Sequence, residues 1–397
     1  MLALGRQSAF DGGMSLNPPP ISLAERQQRL TVLRAGLDAA GAGALLLGST
    51  SSLRYFTGLD WHPSERLTGA IVHADGRLEY VCPRFELDKV SGIVGVPGDD
   101  VLTWQEEQSP YALIAGRVAG KLAVDDQVQL FTWLGMAKAI GTERLMDGGP
   151  LINRLRRCKS PAEIALMSRA KQITIEVHRR AWEAAEEGVR ASEMVRFIDQ
   201  QHRALGGEGG NSFCIVSFGT DTALPHGGEG DPALKKGDVI LIDTGTRLDG
   251  YNSDITRTYV FGEPTEEIRR IWDLEKAAQA AAFAAARLGQ PCQSVDAAAR
   301  AVIAGAGLGP DYSLPGCPHR TGHGIGLDIH EAPNLVRGDA TPLEVGMCFS
   351  NEPMIVVPGK FGIRLEDHFH MTADGARWFT QPQASLDDPF AGVPAFQ

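Results

Sequence analysis

With 397 residues the chain exceeds what one small core organises, so two domains are the expectation. Hydrophobic residues make up 43% and charged residues 22%, the balance of an ordinary globular protein rather than a disordered or fibrous one. The net charge of −11, with basic residues clustered no further than pairs such as Arg156-Arg157, argues against nucleic acid or an anionic membrane as the main partner. No apolar run reaches the length of a membrane span.

The first 20 residues lack both a basic region and an apolar core of the secretory type. They read as a disordered tail closed by Pro18-Pro19-Pro20. The six cysteines are scattered without C-x-x-C spacing and read as reduced, mostly buried thiols, which points to the cytoplasm. Apolar positions Leu30, Leu33, Leu37 and Ala40 predict a helix over 22–42, stopped by Gly41. A buried strand follows at 44–50, then a loop over 51–59. A hairpin is predicted around Asp75-Gly76, a helix near 85–90, a strand at 94–96 and a helix at 109–119. Strands alternating with helices to about residue 150 predict a compact α/β domain. Within it, residues 61–66 read as a polar connection whose His62, Glu65 and Arg66 are weaker candidates for substrate contact.

A boundary is expected near 156–160, dividing the chain into domains at 21–157 and 158–397. Ser160-Pro161-Ala162-Glu163 is a capping box with proline at the first helical position, and it opens a helix expected to run to Gly188. A second helix is predicted over 191–205, and helices again at 266–287 and 294–304. Strands are predicted at 213–218, 347–351, 354–357 and 362–366. Helices in runs and strands in hairpins indicate an α+β domain.

Its central stretch is VILIDTGTRLDGYNSDITRTYV, residues 239–260. An apolar strand ends in Asp243, turns at Asp249-Gly250 and returns with Asp254, Thr256 and Thr258. With those two residues as the turn, Thr256 lies opposite Asp243. Asp243 and Asp254 then become diagonal neighbours on one face. Two converging buried carboxylates require a strongly charged cation. Three later segments add ligand types: PHRTGHGIGLDIHE with His319, His323 and His330, FSNEP with Glu352, and GIRLED with Arg364 and Glu366. Any one of these residues alone reads as structural or solvated. Together, Asp243, Asp254, His323, Glu352 and Glu366 make four carboxylates and one imidazole, a donor set for two hard or borderline divalent ions. Such a pair of ions can position an attacking water and polarise a carbonyl.

The order Asp, ten residues, Asp, then GHGIG, NEP and GIRLED resembles the metallopeptidases that include methionine aminopeptidase, prolidase and aminopeptidase P, the pita-bread fold. GYNSDITRT, LPHG at 224–227 and the spacing of His323 to His330 resemble the Xaa-Pro branch. RLTVLRAGLDAAGAGALLLGSTSSLRYFTG resembles the creatinase/prolidase N-terminal domain. The resemblance implies an α+β pita-bread catalytic domain after a creatinase-type α/β domain. It also implies two bound divalent ions, with manganese first and cobalt, zinc or iron as alternatives. On it, Asp243 holds one metal, Asp254 and Glu366 bridge, and His323 and Glu352 complete the second. Glu352 also takes the water proton, His330 stabilises the oxyanion, His226 meets the proline side, and His319 and Arg364 line the pocket. The implied substrate is a small Xaa-Pro peptide, and the implied assembly a homodimer. The sequence departs from the family's usual EPGIY at Met354 and Val356, which bears on the pocket wall and not on the metal ligands.

Dipeptidase and aminopeptidase P share this site, with the dipeptidase preferred and Arg337 a candidate clamp for a substrate carboxylate. A metal-free creatinase-type hydrolase or a dead peptide-binding module would have lost ligands that this chain keeps. A non-peptide hydrolase or lyase on the same scaffold stays open. HExxH zinc chemistry is excluded, because Asn334 stands where the second histidine is required.

Overall fold

The computed structural model describes residues 17–396; the first sixteen residues of the expected tail lie outside the described ones. The chain forms two compact units, one of residues Ile21–Arg156 and one of Arg157 onward together with the segment ending at Pro20.

In the first unit the helix Leu23–Ala40 is capped by the Ser22 hydroxyl, which accepts from the Glu25 amide at 3.1 Å, and ends at Gly41. A six-stranded mixed sheet runs in the order Val101–Trp104, Leu78–Pro83, Gly69–His73, Ala42–Leu47, Lys121–Val124, Leu145–Asp147. The first three strands in sequence order pair antiparallel, whereas the later ones join in parallel. Ala44, Leu46, Ile71, Val81, Leu122 and Met136 fill one face of the sheet. Two expectations fail here. Residues Ser51–Thr57 form a helix instead of a loop, burying Leu53, Tyr55 and Phe56. No strand forms at 94–96: Val94 ends the helix Leu87–Val94, Gly95 turns the chain at a φ of 68°, and the strand comes later at Val101–Trp104. In the 61–66 connection, Arg66 binds Glu65 and Glu106 of its own unit.

The second unit opens with the helix Pro161–Glu183, which ends five residues before Gly188. Its capping box is reciprocal: the Glu163 amide donates to Ser160 Oγ at 3.3 Å, and the Ser160 amide to Glu163 Oε2 at 2.9 Å. The inward face carries Leu166, Met167, Ala170, Ile173, Val177 and Ala181, spaced three and four apart. Burying each of the larger side chains contributes about 1.5–3 kcal/mol. The Tyr251 hydroxyl donates to Glu163 Oε1 at 2.8 Å, tying the helix start to the tip of the central hairpin.

That hairpin lies in a three-stranded antiparallel sheet of Phe213–Phe218, Val239–Gly245 and Ile255–Val260. Thr256 pairs with Asp243, the predicted register. The turn residues Asp249 and Gly250 both have positive φ, 45° and 79°, as a tight hairpin turn demands. A five-stranded sheet runs Glu331–Leu335, Gly322–Gly324, Cys348–Asn351, Asp367–Thr372, Gly375–Trp378, and a two-stranded ribbon joins Met354–Val357 to Phe361–Arg364. The helices Glu266–Ala285 and Gln293–Gly305 close the core with Ile271, Trp272, Val295, Phe349, Ile363 and Phe369.

Candidate metal centre

Nine of the residues singled out from the sequence line one cavity of about 730 Å³: His226, Asp243, Asp254, His319, His323, His330, Glu352, Arg364 and Glu366; His62, Glu65, Arg66 and Arg337 do not. Asp243 lies near the end of the strand Val239–Gly245, whose every residue is buried, and its side chain faces the cavity. His323 lies in the three-residue strand Gly322–Gly324. Glycine is needed before it, because a Cβ at Gly322 would sit 2.2 Å from the Ser350 carbonyl oxygen. Glu352 follows the strand Cys348–Asn351, and Glu366 sits between the strands Phe361–Arg364 and Asp367–Thr372.

Hydrogen bonds aim these groups. His323 Nδ1 lies 2.9 Å from the Gly324 carbonyl oxygen and donates to it, which turns Nε2 toward the neighbouring acids. That Nε2 is 3.2 Å from Glu352 Oε1 and 3.6 Å from Asp254 Oδ2. The Ser350 hydroxyl accepts from the His323 amide at 2.9 Å and donates to Glu352 Oε1 at 3.3 Å. Arg364 donates to Asp243 Oδ2 at 2.5 Å, to Thr256 Oγ1 at 3.0 Å and to the Pro225 carbonyl at 2.9 Å. Thr256 in turn donates to Glu366 Oε2 at 2.8 Å. The segment carrying His319 is held by Arg300, which donates to the His319 carbonyl at 2.5 Å and is paired with Asp296 at 2.9 Å.

The electrostatics are those of crowded buried acids. Burial, with Asp243 and Glu352 alongside, pushes the Asp254 carboxyl well above its usual range, and burial with Asp254 does the same to Glu366. Asp243 is also raised by burial, against the pull of Arg364. Burial acts on Glu352 as well, but His323, His319 and Arg364 outweigh it and hold this carboxyl down to about 2. Burial and the neighbouring His323 push His330 down to about 4, so this imidazole is neutral at pH 7.

Divalent ions fit this set. Asp243 Oδ1 and Glu366 Oε1 are buried without a hydrogen-bond partner among the described residues. Donor atoms of His323, Glu352 and Glu366 lie within 4.8 Å of one another, as do those of Asp254, His323 and His330. Unmet anionic oxygens beside an imidazole lone pair are what a borderline divalent ion satisfies.

Sequence reasoning overlooked Arg320, which lines the same cavity, half-buried, its guanidinium in no hydrogen bond or ion pair among the described residues. Its only sequence signal is adjacency to His319. Arg337, the clamp considered instead, is exposed, paired with Asp311, and absent from this lining. Phe213, Ile215, Tyr312, Ile329 and Val336 form the apolar part of the wall. A larger groove of about 930 Å³ runs beside Trp378 and Phe379; the acid in it, Glu176, is already paired with Arg179 and Arg180.

Comparison with known proteins identifies the family. The sequence profile of metallopeptidase family M24 matches residues 165–373, and that of the creatinase/prolidase N-terminal domain matches residues 29–158. The probable dipeptidase PepE of Mycobacterium tuberculosis is 36% identical over 356 residues, covering 88% of this chain and 92% of that one. The Xaa-Pro dipeptidase of Lactobacillus delbrueckii subsp. lactis is 31% identical, with 90% and 98% covered. Among solved structures, the dipeptidase PepE of Mycobacterium ulcerans superposes with a TM-score of 0.84 at 34% identity over 91% of this chain and 97% of its own. A prolidase from Thermococcus sibiricus does so with a TM-score of 0.82 at 31% identity, over 91% and 98%. The fold is therefore the expected one, a creatinase-type α/β unit followed by an α+β pita-bread catalytic unit. The chain belongs to metallopeptidase family M24.

Proposed function

We propose that the chain hydrolyses Xaa-Pro dipeptides with two divalent ions held by Asp243, Asp254, His323, Glu352 and Glu366. The observation that carries this reading is the gathering of those donors, two with unmet oxygens, in one cavity with His226, His330 and an unpartnered Arg320. The Xaa-Pro dipeptidase and prolidase among the relatives support the same substrate class.

On this reading Asp243 holds one ion, Asp254 and Glu366 serve both, and His323 and Glu352 complete the second. Bound there, the ions would polarise the scissile carbonyl and acidify the attacking water. Glu352, held ionised by its neighbours, takes the proton of that water and hands it toward the proline nitrogen, which must be protonated to leave. His330 as a neutral imidazole donates its ring N–H to the carbonyl oxygen as negative charge develops. His226 meets the proline side of the substrate, and His319 shapes the wall. Arg364 orients Asp243 and, through Thr256, Glu366. Arg320 offers a planar guanidinium to the free carboxylate that a dipeptide, and not the proline of a longer peptide, presents there.

Manganese is the proposed ion, with cobalt, zinc or iron as alternatives, because oxygen donors dominate the set. A cytoplasmic homodimer completes the proposal, with the creatinase-type domain at 21–157 and the catalytic domain at 158–397. All six cysteines are free, as a reducing compartment requires.

The test is hydrolysis of Ala-Pro and Ala-Pro-Ala by chelator-stripped protein, with and without added Mn(II). Mn-restored cleavage of Ala-Pro is expected. Preference for the tripeptide would instead mark an aminopeptidase, and metal uptake without cleavage of either a non-peptide substrate. Arg320→Met is expected to raise KM for Ala-Pro by about 10–100-fold, the worth of one charge-assisted contact. The same variant should leave the KM for a proline-amide analogue nearly unchanged; an equal rise for both would remove Arg320 from carboxylate recognition.

A further inference from the structure

The strand Asp367–Thr372 leaves the site directly after Glu366, and strand side chains alternate. His368 is the second residue of this strand, two along from Glu366. It is fully buried, and neither of its ring nitrogens has a hydrogen-bond partner among the described residues. A buried polar atom left unmet is destabilising, so two on one ring call for an explanation.

The neighbours narrow that explanation. His368 Nε2 lies 3.7 Å from Glu366 Oε1, too far for a hydrogen bond, and Glu366 Oε1 is itself unmet because Thr256 serves its other oxygen. The nearby ammonium of Lys171 is engaged elsewhere: it donates to the Asn252 carbonyl at 3.1 Å and lies 4.6 Å above the Phe379 ring. An Asp254 carboxylate oxygen completes a fully buried trio, with all three donor atoms within 4.8 Å of one another. The next residue on this strand face, His370, is packed against Phe379 with ring centroids 4.8 Å apart. Two donors 3.7 Å apart can share one ion at bond lengths of about 2.0–2.2 Å.

We propose that His368 is a sixth donor of this metal centre, binding a divalent ion together with Asp254 and Glu366. The inference rests on the reading of the cavity as a metal site, and it adds to that reading a second imidazole. A second imidazole moves ion preference away from magnesium and calcium toward cobalt, zinc and iron.

X-ray absorption of the Co(II)-loaded full chain tests this by counting imidazole scatterers, alongside titration of Co(II) and Mg(II) affinity. The expected result is that His368→Gln loses one imidazole relative to the unaltered chain. Its Co(II) affinity should fall by about 10–100-fold while Mg(II) affinity hardly moves. A His330→Gln control is expected to keep the unaltered count. If His368→Gln fails to fold, the count in the unaltered protein still decides: a single imidazole overturns the proposal and leaves His368 bridged through water. An unchanged spectrum and Co(II) affinity in His368→Gln overturns it equally. Failure of the unaltered chain to take up Co(II) at all would overturn the metal-site reading itself, and the proposal with it.

Discussion

Asp254→Ala and Glu366→Ala proteins are expected to lose bound metal and at least about a thousandfold in turnover, because each removes a donor proposed to serve both ions. Metal content by atomic emission and kcat/KM on Ala-Pro check the two halves separately. Turnover retained by metal-free Asp254→Ala protein would defeat the two-ion mechanism. Stability should respond in opposite directions with and without metal. In chelator, the buried carboxylates repel one another and lack water, so Asp254→Asn relieves that repulsion and stabilises the stripped chain. Its melting midpoint should exceed that of the unaltered protein, at about 2–4 °C per kcal/mol for a unit of this size. With Mn(II) present the order should reverse, since only the unaltered chain gains the full binding energy.

The pH dependence of the stripped protein follows the same logic. Asp254 and Glu366 carry raised pKa values in the folded chain and so take up protons on folding. Between the unfolded carboxylate range near about 4 and those raised values, their contribution makes stability fall as pH rises. Glu352, held down to about 2, acts in the other direction: its contribution is present above the unfolded range and is lost as pH falls toward about 2. The stripped protein should therefore unfold at higher temperature near pH 5 than near pH 8. Metal should flatten or invert that slope, and a stripped protein indifferent to pH over this interval would contradict the assigned crowding.

The second large effect is expected at Arg364. This guanidinium is fully buried and makes three contacts, to Asp243, Thr256 and the Pro225 carbonyl. Arg364→Met keeps much of the volume but leaves Asp243 Oδ2 without its partner in the interior. Removing one member of a buried pair costs about 3–5 kcal/mol. Metal affinity should fall by about 10–100-fold as well, since Arg364 aims Asp243 directly and Glu366 through Thr256. Arg364→Lys keeps the charge without the fork and should recover only part of either loss. The discriminating measurement is metal affinity at a temperature where the variant remains folded. Unaltered affinity there would reduce Arg364 to a structural role.

The central hairpin was legible because two strong local signals agree. The Asp249-Gly250 turn and period-two alternation leave one register, and it brings Thr256 opposite Asp243. Histidine and acid clusters in glycine-rich segments were legible as a group even though each residue alone was not. What escaped shares a different character. Ser51–Thr57 is a helix of two turns, too short for its apolar spacing to register before Gly58 ends it. The strands Gly322–Gly324 and Glu331–Leu335 break strand composition rules, one with two glycines and the other with Pro333. They exist because the sheet they join supplies the pairing. Arg320 escaped, and nothing in the sequence gave His368 a metal role, because an unmet partner is a fact of three-dimensional neighbourhood that no residue spacing encodes.

The pairing of Thr256 with Asp243 also limits how the gene for this chain can vary in length. The arms Arg247–Leu248 and Tyr251–Asn252 carry the turn beyond the part of the hairpin that bears the acids. Two codons gained or lost there would change only the height of the loop and return each side chain to its face. A single codon would send Asp254 to the opposite face from Asp243 and replace a carboxylate pair by a lone one. Related chains should therefore differ across this loop by even numbers of residues, and an odd difference should coincide with loss of the metal ligands elsewhere in the chain.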